Sequence, residues 1–399
     1  MRIVLVALVA VVALAGCDWA QLGFGPDETN DNPSEPAITP TSVRQLNTAW
    51  STLINVTTPP LVANGLVYTE DTNNDIPPRD FTIAARDEAT GAVRWSLAIR
   101  QVTDARFMGI GNGLAYVRVG SLTGDGALDT SDVVLALDAM TGQLRWFLQA
   151  PDPSNFQDKL VTIRAFLLDG SRLFLVTSAP GSGYFVSAYD TGGHSIWSAS
   201  VLGTLDSIVA DPGRTLHAVS FVQLNPDGTG IDVLTSYSES SGAVTAQRFA
   251  DFAPRGAVIS PPMSFANGVI YADTVSGNHN EVVAVRVSDG VQLWNALDES
   301  VGAVAPGAVI TLDRAVTARN PLTGAVLWSR PGATFADPQS AVVAGGVVFA
   351  RQSGGAFAFR LSDGTVLNST PAGSLITVAD GRVVVANGAA GLEVLTPAG

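Results

Sequence analysis

The stretch Ala136-Leu-Asp138-Ala-Met-Thr141-Gly142-Gln-Leu-Arg-Trp146 decides the fold of this 399-residue chain, because its pattern returns along the sequence. A second full copy runs from Ala85 to Trp95, and five partial copies follow after Trp146. The pattern, A-x-D-x-x-T-G-x-x-x-W, recurs every 34 to 51 residues, which indicates a chain built from similar supersecondary units. The residues assigned to the repeat are Asp87, Gly91, Trp95, Asp138, Gly142, Trp146, Asp190, Gly192, Trp197, Gly242, Gly290, Trp294, Gly324, Trp328 and Gly364, with Trp50 upstream.

Each motif position suits a turn between two strands. Apolar residues precede the Asp and follow the Gly, as in a hairpin. The Asp carboxylate can accept hydrogen bonds from turn amides, and Gly adopts the positive φ of a bulged loop at low steric cost. Trp adds a large flat surface with one N–H group, which fits a contact between adjacent sheets.

A second recurring piece is an apolar stretch, a Gly-containing turn and another strand, as in Leu61-Val-Ala-Asn64-Gly65-Leu-Val-Tyr68. Asn-Gly between apolar strands is a strong hairpin signal. Each unit therefore reads as four strands in a meander, and its length matches the ~40 to 50 residues of a propeller blade.

The two ends of the chain supply one further blade. After Asn368, three strands remain near 375–378, 382–386 and 391–395, while 46–50 is an unpaired strand that ends in Trp50. Joining them closes the ring and removes free sheet edges. We predict an all-β protein over residues 43–399, an eight-bladed β-propeller of four-stranded antiparallel blades closed by pairing of the N-terminal strand with the C-terminal blade.

The repeat resembles the quinoprotein-type (PQQ-like) β-propeller repeat, the tryptophan-docking blade of PQQ-dependent dehydrogenases and of BamB-like lipoproteins of the outer-membrane assembly machinery. The resemblance covers roughly residues 43 to 396 and is most specific at Trp95 and Trp146. It implies either a protein-binding scaffold or a dehydrogenase.

The N-terminus has the sequence pattern of an export signal. Arg2 precedes the apolar run 3–13, which is too short to cross a bilayer but suits a signal-peptide core. Leu14-Ala-Gly-Cys17 resembles a bacterial lipobox, whose Cys thiol receives diacylglycerol. We predict a signal peptide at 1–16, lipidation of Cys17, the only Cys, and a tether at 17–42. An ordinary secretory signal is the alternative.

Composition limits the partners. The formal net charge is −14 and Lys159 is the only Lys, which argues against nucleic acid. No later segment has the ~18 apolar residues that a spanning helix needs, so we expect attachment through lipid alone. The expected location is a bacterial membrane, either the cell membrane or the outer membrane, on its periplasmic or extracellular face.

The resemblance also implies an enzyme alternative, in which PQQ lies over the central channel and Ca²⁺ polarises the quinone. The alcohol dehydrogenases of that family stack PQQ against vicinal cysteines, whereas Cys17 is the single Cys here. Sugar-oxidising relatives use a His base, but His194 lies in a motif turn and His279 in a short loop. We therefore expect no catalytic residues and no PQQ.

One loop has the spacing of a Ca²⁺ site. Oxygen donors at positions 1, 3, 5, 9 and 12 surround a Gly at position 6. Position 1 is not Asp, position 12 is not Glu, and a strand follows instead of a helix, so a solvated hairpin loop is the competing interpretation. The candidate ligands are Ser121, Thr123, Asp125, Asp129 and Asp132.

Acidic loops at Asp71, Asp125 and Asp152 fall in the first three units and suggest a negative sector for a cationic partner. Ordinary surface turns are the alternative. We expect a monomeric, non-catalytic scaffold that binds envelope proteins, with a role in envelope or outer-membrane protein assembly. The alternative is a PQQ- and Ca²⁺-dependent dehydrogenase or a propeller that binds a small ligand.

Overall fold

The structure is a computed structural model. It describes residues 18–72, 79–120, 123–124, 127–128, 131–149, 161–179, 183–224, 230–250, 252, 258–276, 279–331, 341–352, 355–370, 375–386 and 391–398.

The described strands form eight four-stranded antiparallel blades, and the first strands of successive blades contact one another in a closed ring. From the axis outward, the strands are Leu61–Ala63, Leu66–Thr72, Arg79–Asp87 and Val93–Val102 (blade I); Ala105–Gly111, Leu114–Val119, Val133–Asp138 and Leu144–Gln149 (blade II); Thr162–Asp169, Arg172–Ala179, Gly183–Asp190 and Ser195–Val201 (blade III); Thr204–Ala210, Thr215–Gln223, Gly230–Ser238 and Val244–Ala250 (blade IV); Val258–Ala266, Val269–Ser276, His279–Arg286 and Gln292–Leu297 (blade V); Ser300–Ala305, Ala308–Leu312, Ala315–Arg319 and Val326–Pro331 (blade VI); Ala341–Ala344, Val347–Gln352, Gly355–Arg360 and Val366–Thr370 (blade VII); and Leu375–Ala379, Arg382–Ala386, Leu392–Pro397 and Leu46–Thr52 (blade VIII).

Three short elements lie outside this scheme. Thr123–Gly124 and Ala127–Leu128 pair as a small hairpin, Asp31–Asn32 runs parallel to the inner strand of blade VII, and Ser42–Arg44 forms one 3₁₀ turn.

Blade VIII closes the ring as the sequence predicts. Its outer strand Leu46–Thr52 pairs antiparallel with Leu392–Pro397, and Trp50 stands opposite Val394. The eight-bladed fold and its closure by the two chain ends are thus confirmed.

The core lies between the blades, where most described residues of the inner two strands are buried. An aromatic side chain near the start of the second strand packs on the inner strand of the next blade. The centroids of Tyr68 and Phe107 are 5.5 Å apart, and those of Tyr116 and Phe166 are 5.8 Å apart. His217 holds this position in blade IV and stacks on Phe265 at 5.3 Å.

Residues 19–32, here called the axial segment, run around the inside of the ring and meet the inner strands blade by blade. The inner strand of blade VIII accepts a hydrogen bond from Asn32 Nδ2 at the Val378 carbonyl (2.9 Å). The other seven inner strands each donate a backbone N–H: Val62 to the Trp19 carbonyl (3.0 Å), Ile110 to Ala20 (2.6 Å), Leu168 to Gln21 Oε1 (3.0 Å), Ala210 to Pro26 (2.8 Å), Phe265 to Asp27 (2.8 Å), Val304 to Thr29 (2.7 Å) and Val343 to Asn30 (2.9 Å).

These contacts correct the assignment of residues 17–42 to a tether, because the chain is part of the propeller from Asp18 onward. Trp19 is 2% exposed and Ile38 is fully buried. The segment resembles a linker in sequence because it is rich in Gly, Pro, Asn and Asp. The segment binds the inner strands mainly through backbone carbonyls that accept hydrogen bonds. Because any residue type can supply a carbonyl, such contacts leave no apolar periodicity in the sequence.

Candidate functional site

The motif Asp holds the turn between the third and outer strands. In blade I, the Asp87 carboxylate accepts hydrogen bonds from the Thr90 backbone N–H (3.0 Å) and hydroxyl (2.8 Å) and pairs with Arg94. Hydrogen bonds from Arg94 and Thr90 lower the pKa of Asp87 to about 2. Asp138 has the same arrangement in blade II. The motif Asp is therefore an ionised turn residue that is already bound to its own hairpin.

The motif Trp docks on the turn of the next blade. Its Nε1–H donates to the carbonyl at the fourth motif position, and its ring lies against the Gly at the seventh. A Cβ atom added to Gly142, for example, would lie 2.6 Å from the Trp95 ring, and Gly142 has a φ of +70°. The six N–H···O distances are 2.8 Å for Trp50 to Glu88, Trp95 to Ala139, Trp146 to Thr191, Trp197 to Glu239 and Trp294 to Pro321, and 2.7 Å for Trp328 to Leu361.

In blade III the docking glycine is Gly193, which corrects the assignment to Gly192. Gly193 has a φ of +80°, and a Cβ atom there would lie 2.9 Å from the Trp146 ring. Gly192 instead lies beside the His194 side chain. The turn is one residue shorter than in the other copies. Counting four residues forward from Asp190, as from Asp87 to Gly91, therefore reaches His194, whereas counting four residues back from Trp197 reaches Gly193.

Two seams between blades have no docking Trp. Blade IV has Ala246 at the motif position, and the Phe249 carbonyl of its outer strand lies close to Gly290 in the next turn. Blade VII has Asn368, whose Nδ2 donates to the Val43 carbonyl at 2.8 Å. At this second seam the 3₁₀ turn Ser42–Arg44 takes the place of a hairpin, because the two outer strands of blade VIII come from opposite ends of the chain.

A pocket of about 240 Å³ opens at the seam between blades VII and VIII. This pocket was not predicted from the sequence, although Asn368 at a motif Trp position indicates a seam without an indole. Its walls are formed by Arg44, Gln45, Leu46, Thr48, Asn368, Ser369 and Leu395.

The predicted lipidation site, Cys17, lies outside the described residues. The next residue, Asp18, packs near Asp380 in the inner hairpin of blade VIII; burial and the Asp380 charge raise the pKa of its carboxyl. Within the described ranges, no helix has both the length and the apolar character required to span a bilayer.

The axial segment brings three carboxyl groups to the centre of the ring. Burial raises the pKa of Asp31 to about 7, and the neighbouring Asp27 charge adds to this effect. The same two causes raise the pKa of Glu28 well above its usual value. A fraction of the Asp31 carboxyl groups is therefore protonated near neutral pH, which lowers the cost of burying this side chain.

The candidate Ca²⁺ loop is only partly described. Ser121, Asp125 and Asp129 lie outside the described residues, and Thr123 is in the small hairpin. Asp132 is buried: its Oδ2 pairs with Arg118 at 2.8 Å and accepts the Ile163 N–H at 2.8 Å. Its carboxylate is thus committed to linking blades II and III.

Of the three predicted acidic loops, the structure describes the one at Asp71. Asp71 accepts a hydrogen bond from the Asn55 backbone N–H at 2.8 Å and so fixes the entry into blade I. Asp125 and Asp152 lie outside the described residues.

The histidines occupy separate sites. His194 pairs with Asp190 at 3.1 Å and His279 with Asp298 at 2.7 Å, both on the surface. In the part of the chain that the structure describes, no cluster of three or more His, Cys, Asp or Glu side chains is arranged to hold a metal ion.

His217 lies between Ser236 and Asp211, an arrangement reminiscent of a hydrolase triad. Its Nδ1 is 3.0 Å from Ser236 Oγ and its Nε2 is 3.3 Å from Asp211 Oδ2. Ser236 and His217 are only 4% and 3% exposed, so a substrate cannot reach the hydroxyl. Burial lowers the pKa of His217, which makes it a neutral packing residue at the seam between blades IV and V.

The family that matches this chain is described as outer membrane protein assembly factor BamB, and the matches span residues 79–306 and 232–396. No curated protein matches significantly in sequence.

Solved structures share the fold at low identity. The structure of BamB from Moraxella catarrhalis is 16% identical with a TM-score of 0.61, covering 88% of this chain and 100% of that one. Quinohemoprotein alcohol dehydrogenase from Comamonas testosteroni is 14% identical with a TM-score of 0.63, covering 95% and 80%. A europium-containing methanol dehydrogenase is 16% identical with a TM-score of 0.52, covering 94% and 90%.

Proposed function

The chain belongs to the family described as outer membrane protein assembly factor BamB, and from that premise we propose that it is a non-catalytic, lipid-anchored scaffold that binds envelope proteins. The observation that carries the proposal is the axial segment. Because the inner strands of all eight blades bond to the chain's own residues 19–32, much of the centre of the ring is lined by protein. The hairpins, loops and rim are then the surfaces left for a partner, and such loops carry the function of many scaffolds.

We place the membrane on the side of the inner hairpins. Cys17 is bonded directly to Asp18, which packs near Asp380 in an inner hairpin, so a lipid on Cys17 leaves the ring on this face. The opposite face, with the connections from one blade to the next, then points toward the partner.

Crosslinking in native membranes tests the scaffold function. Recovery of barrel-assembly components with the wild-type protein is the expected result. The competing dehydrogenase function predicts dye-linked oxidation of alcohols or sugars after addition of PQQ and Ca²⁺. Such turnover by the purified chain would refute the proposal.

Three variants test the anchor and its orientation. Cys17→Ser should release the protein from membranes or block its maturation. In the anchored protein, a thiol at Ser171→Cys, in the exposed inner hairpin of blade III, should react more slowly with a bulky maleimide than one at Leu202→Cys on the opposite face. Equal rates in membranes would overturn the orientation, and equal rates in detergent are the control.

A further inference from the structure

The closure seam between blades VII and VIII differs from the other seams in what fills it. At six seams an indole crosses from an outer strand to the next turn and donates its N–H to the carbonyl at the fourth motif position. At the closure seam, Asn368 makes the corresponding hydrogen bond to Val43. The shorter side chain keeps the bond and leaves the volume of the ring unused.

The pocket beside Asn368 is the space left by this exchange. Its volume of about 240 Å³ is below the ~300 Å³ typical of drug-sized sites, which suits one large side chain. One wall is Asn368 and Ser369 on the outer strand of blade VII, and the facing wall includes Arg44 in the 3₁₀ turn and Leu395 in blade VIII.

The seam between blades IV and V provides an internal comparison. It also lacks a Trp, since Ala246 holds the position, but the Phe249 backbone lies against the turn there: a Cβ atom on Gly290 would be 2.6 Å from the Phe249 carbonyl oxygen. Loss of the indole is therefore compensated by backbone at one seam and leaves a pocket at the other.

We infer that the closure pocket binds a tryptophan side chain presented by another protein. The six seams that have a Trp show this fold holding an indole between an outer strand and the hairpin turn of the next blade, and at the closure seam the 3₁₀ turn Ser42–Arg44 takes the place of that hairpin. The Arg44 guanidinium in the wall can stack on the ring face, and Trp is the best aromatic partner for such a cation. The inference rests on the proposed scaffold function only in assigning the ring to a partner protein.

The test uses purified protein and N-acetyl-tryptophanamide as the probe, followed by saturation-transfer NMR and calorimetry. We expect millimolar binding to the wild type. Asn368→Trp should fill the pocket from within and abolish binding, whereas the matched control Ala246→Trp should bind as the wild type does. Arg44→Ala should weaken binding about threefold and decides the question if Asn368→Trp does not fold.

Three outcomes would overturn the inference. They are no binding to the wild type at millimolar probe, undiminished binding to folded Asn368→Trp or to Arg44→Ala, and equally tight binding of N-acetyl-phenylalaninamide. Because the assay contains neither membrane nor partner, its failure is distinguishable from failure of the scaffold function, which crosslinking measures.

Discussion

At the residue scale, the repeat motif stabilises the turns and the contacts between blades, and these roles could be inferred from the sequence. The expected roles of Asp as a turn acceptor and Trp as a contact between sheets agree with the geometry at Asp87 and Trp95. The docking glycine of blade III was assigned to Gly192 instead of Gly193, because a one-residue deletion shifts the register of a turn while keeping its hydrogen bonds. The buried partners of Asp132 could not be predicted, since they depend on strands brought together from two blades.

The two adjacent glycines of blade III give a matched pair of substitutions. Gly193→Ala forces a Cβ atom against Trp146 at positive φ, and we expect it to lower the free energy of unfolding by about 1–2 kcal/mol. Gly192→Ala should cost much less, because its Cβ atom would meet the exposed side chains of His194 and Asp190, of which the closer, His194, can move away. Urea unfolding of both variants measures the difference, and equal losses would argue against Gly193 as the docking residue.

Removal of a docking indole should be costly. Trp95 is 8% exposed and packs near both Tyr68 and Phe107, so Trp95→Ala should destabilise the fold by about 3–5 kcal/mol. Met140→Ala, at an exposed site in the turn below the ring, is the control and should change stability by less than about 0.5 kcal/mol. Similar unfolding midpoints for the two variants would contradict the docking role.

At the element scale, the blades were predictable and the axial segment was not. A strand with alternating or continuous apolar residues leaves a pattern, as Val133–Asp138 does. A segment that binds through its backbone carbonyls leaves no such pattern in the sequence. The 3₁₀ turn Ser42–Arg44 was not predicted for a related reason: it replaces a hairpin only because strands from both chain ends meet beside it.

Replacing residues 19–32 by a Gly-Ser sequence of equal length should weaken this arrangement. Gly-Ser chains can still offer carbonyls, but they lose the side chains of Trp19, Gln21 and Asn32 and add chain entropy. With roughly 1 kcal/mol for each lost hydrogen bond, we expect a loss of several kcal/mol. Hydrogen exchange should accelerate at Val62 and Val343 but not at amides of the outer strands. Unchanged protection at the inner strands would count against a stabilising role.

At the scale of the whole molecule, buried carboxyl groups link stability to pH. Desolvation is the main cause that raises the pKa of Asp31, Glu70, Glu88, Glu239 and Asp273 to about 7. Their unfolded values lie near 4, so between pH 4 and 7 the folded state binds more protons than the unfolded state. Stability is therefore lost as the pH rises through this window. His217 has a lowered pKa and acts in the opposite sense, below about pH 6.5.

We expect the melting temperature to be several degrees higher at pH 5.5 than at pH 8. Glu70→Gln should flatten the dependence, because it replaces one buried carboxyl by a neutral group of similar shape that can still contact Thr57. Scanning calorimetry between pH 5.5 and pH 8 measures the melting temperatures of the wild type and of Glu70→Gln. A melting temperature that rises from pH 5.5 to pH 8 would show that these carboxyl groups do not dominate.

The path of residues 19–32 has a consequence for biogenesis. The amino-terminal residues are synthesised first, yet the Asn32 amide reaches its acceptor only once Val378, near the other end of the polypeptide, has been made. The newborn chain therefore holds its earliest segment incompletely bound throughout synthesis. Folding is complete only after the last strand is added, so a truncated product would display an unsatisfied leading segment to chaperones and proteases.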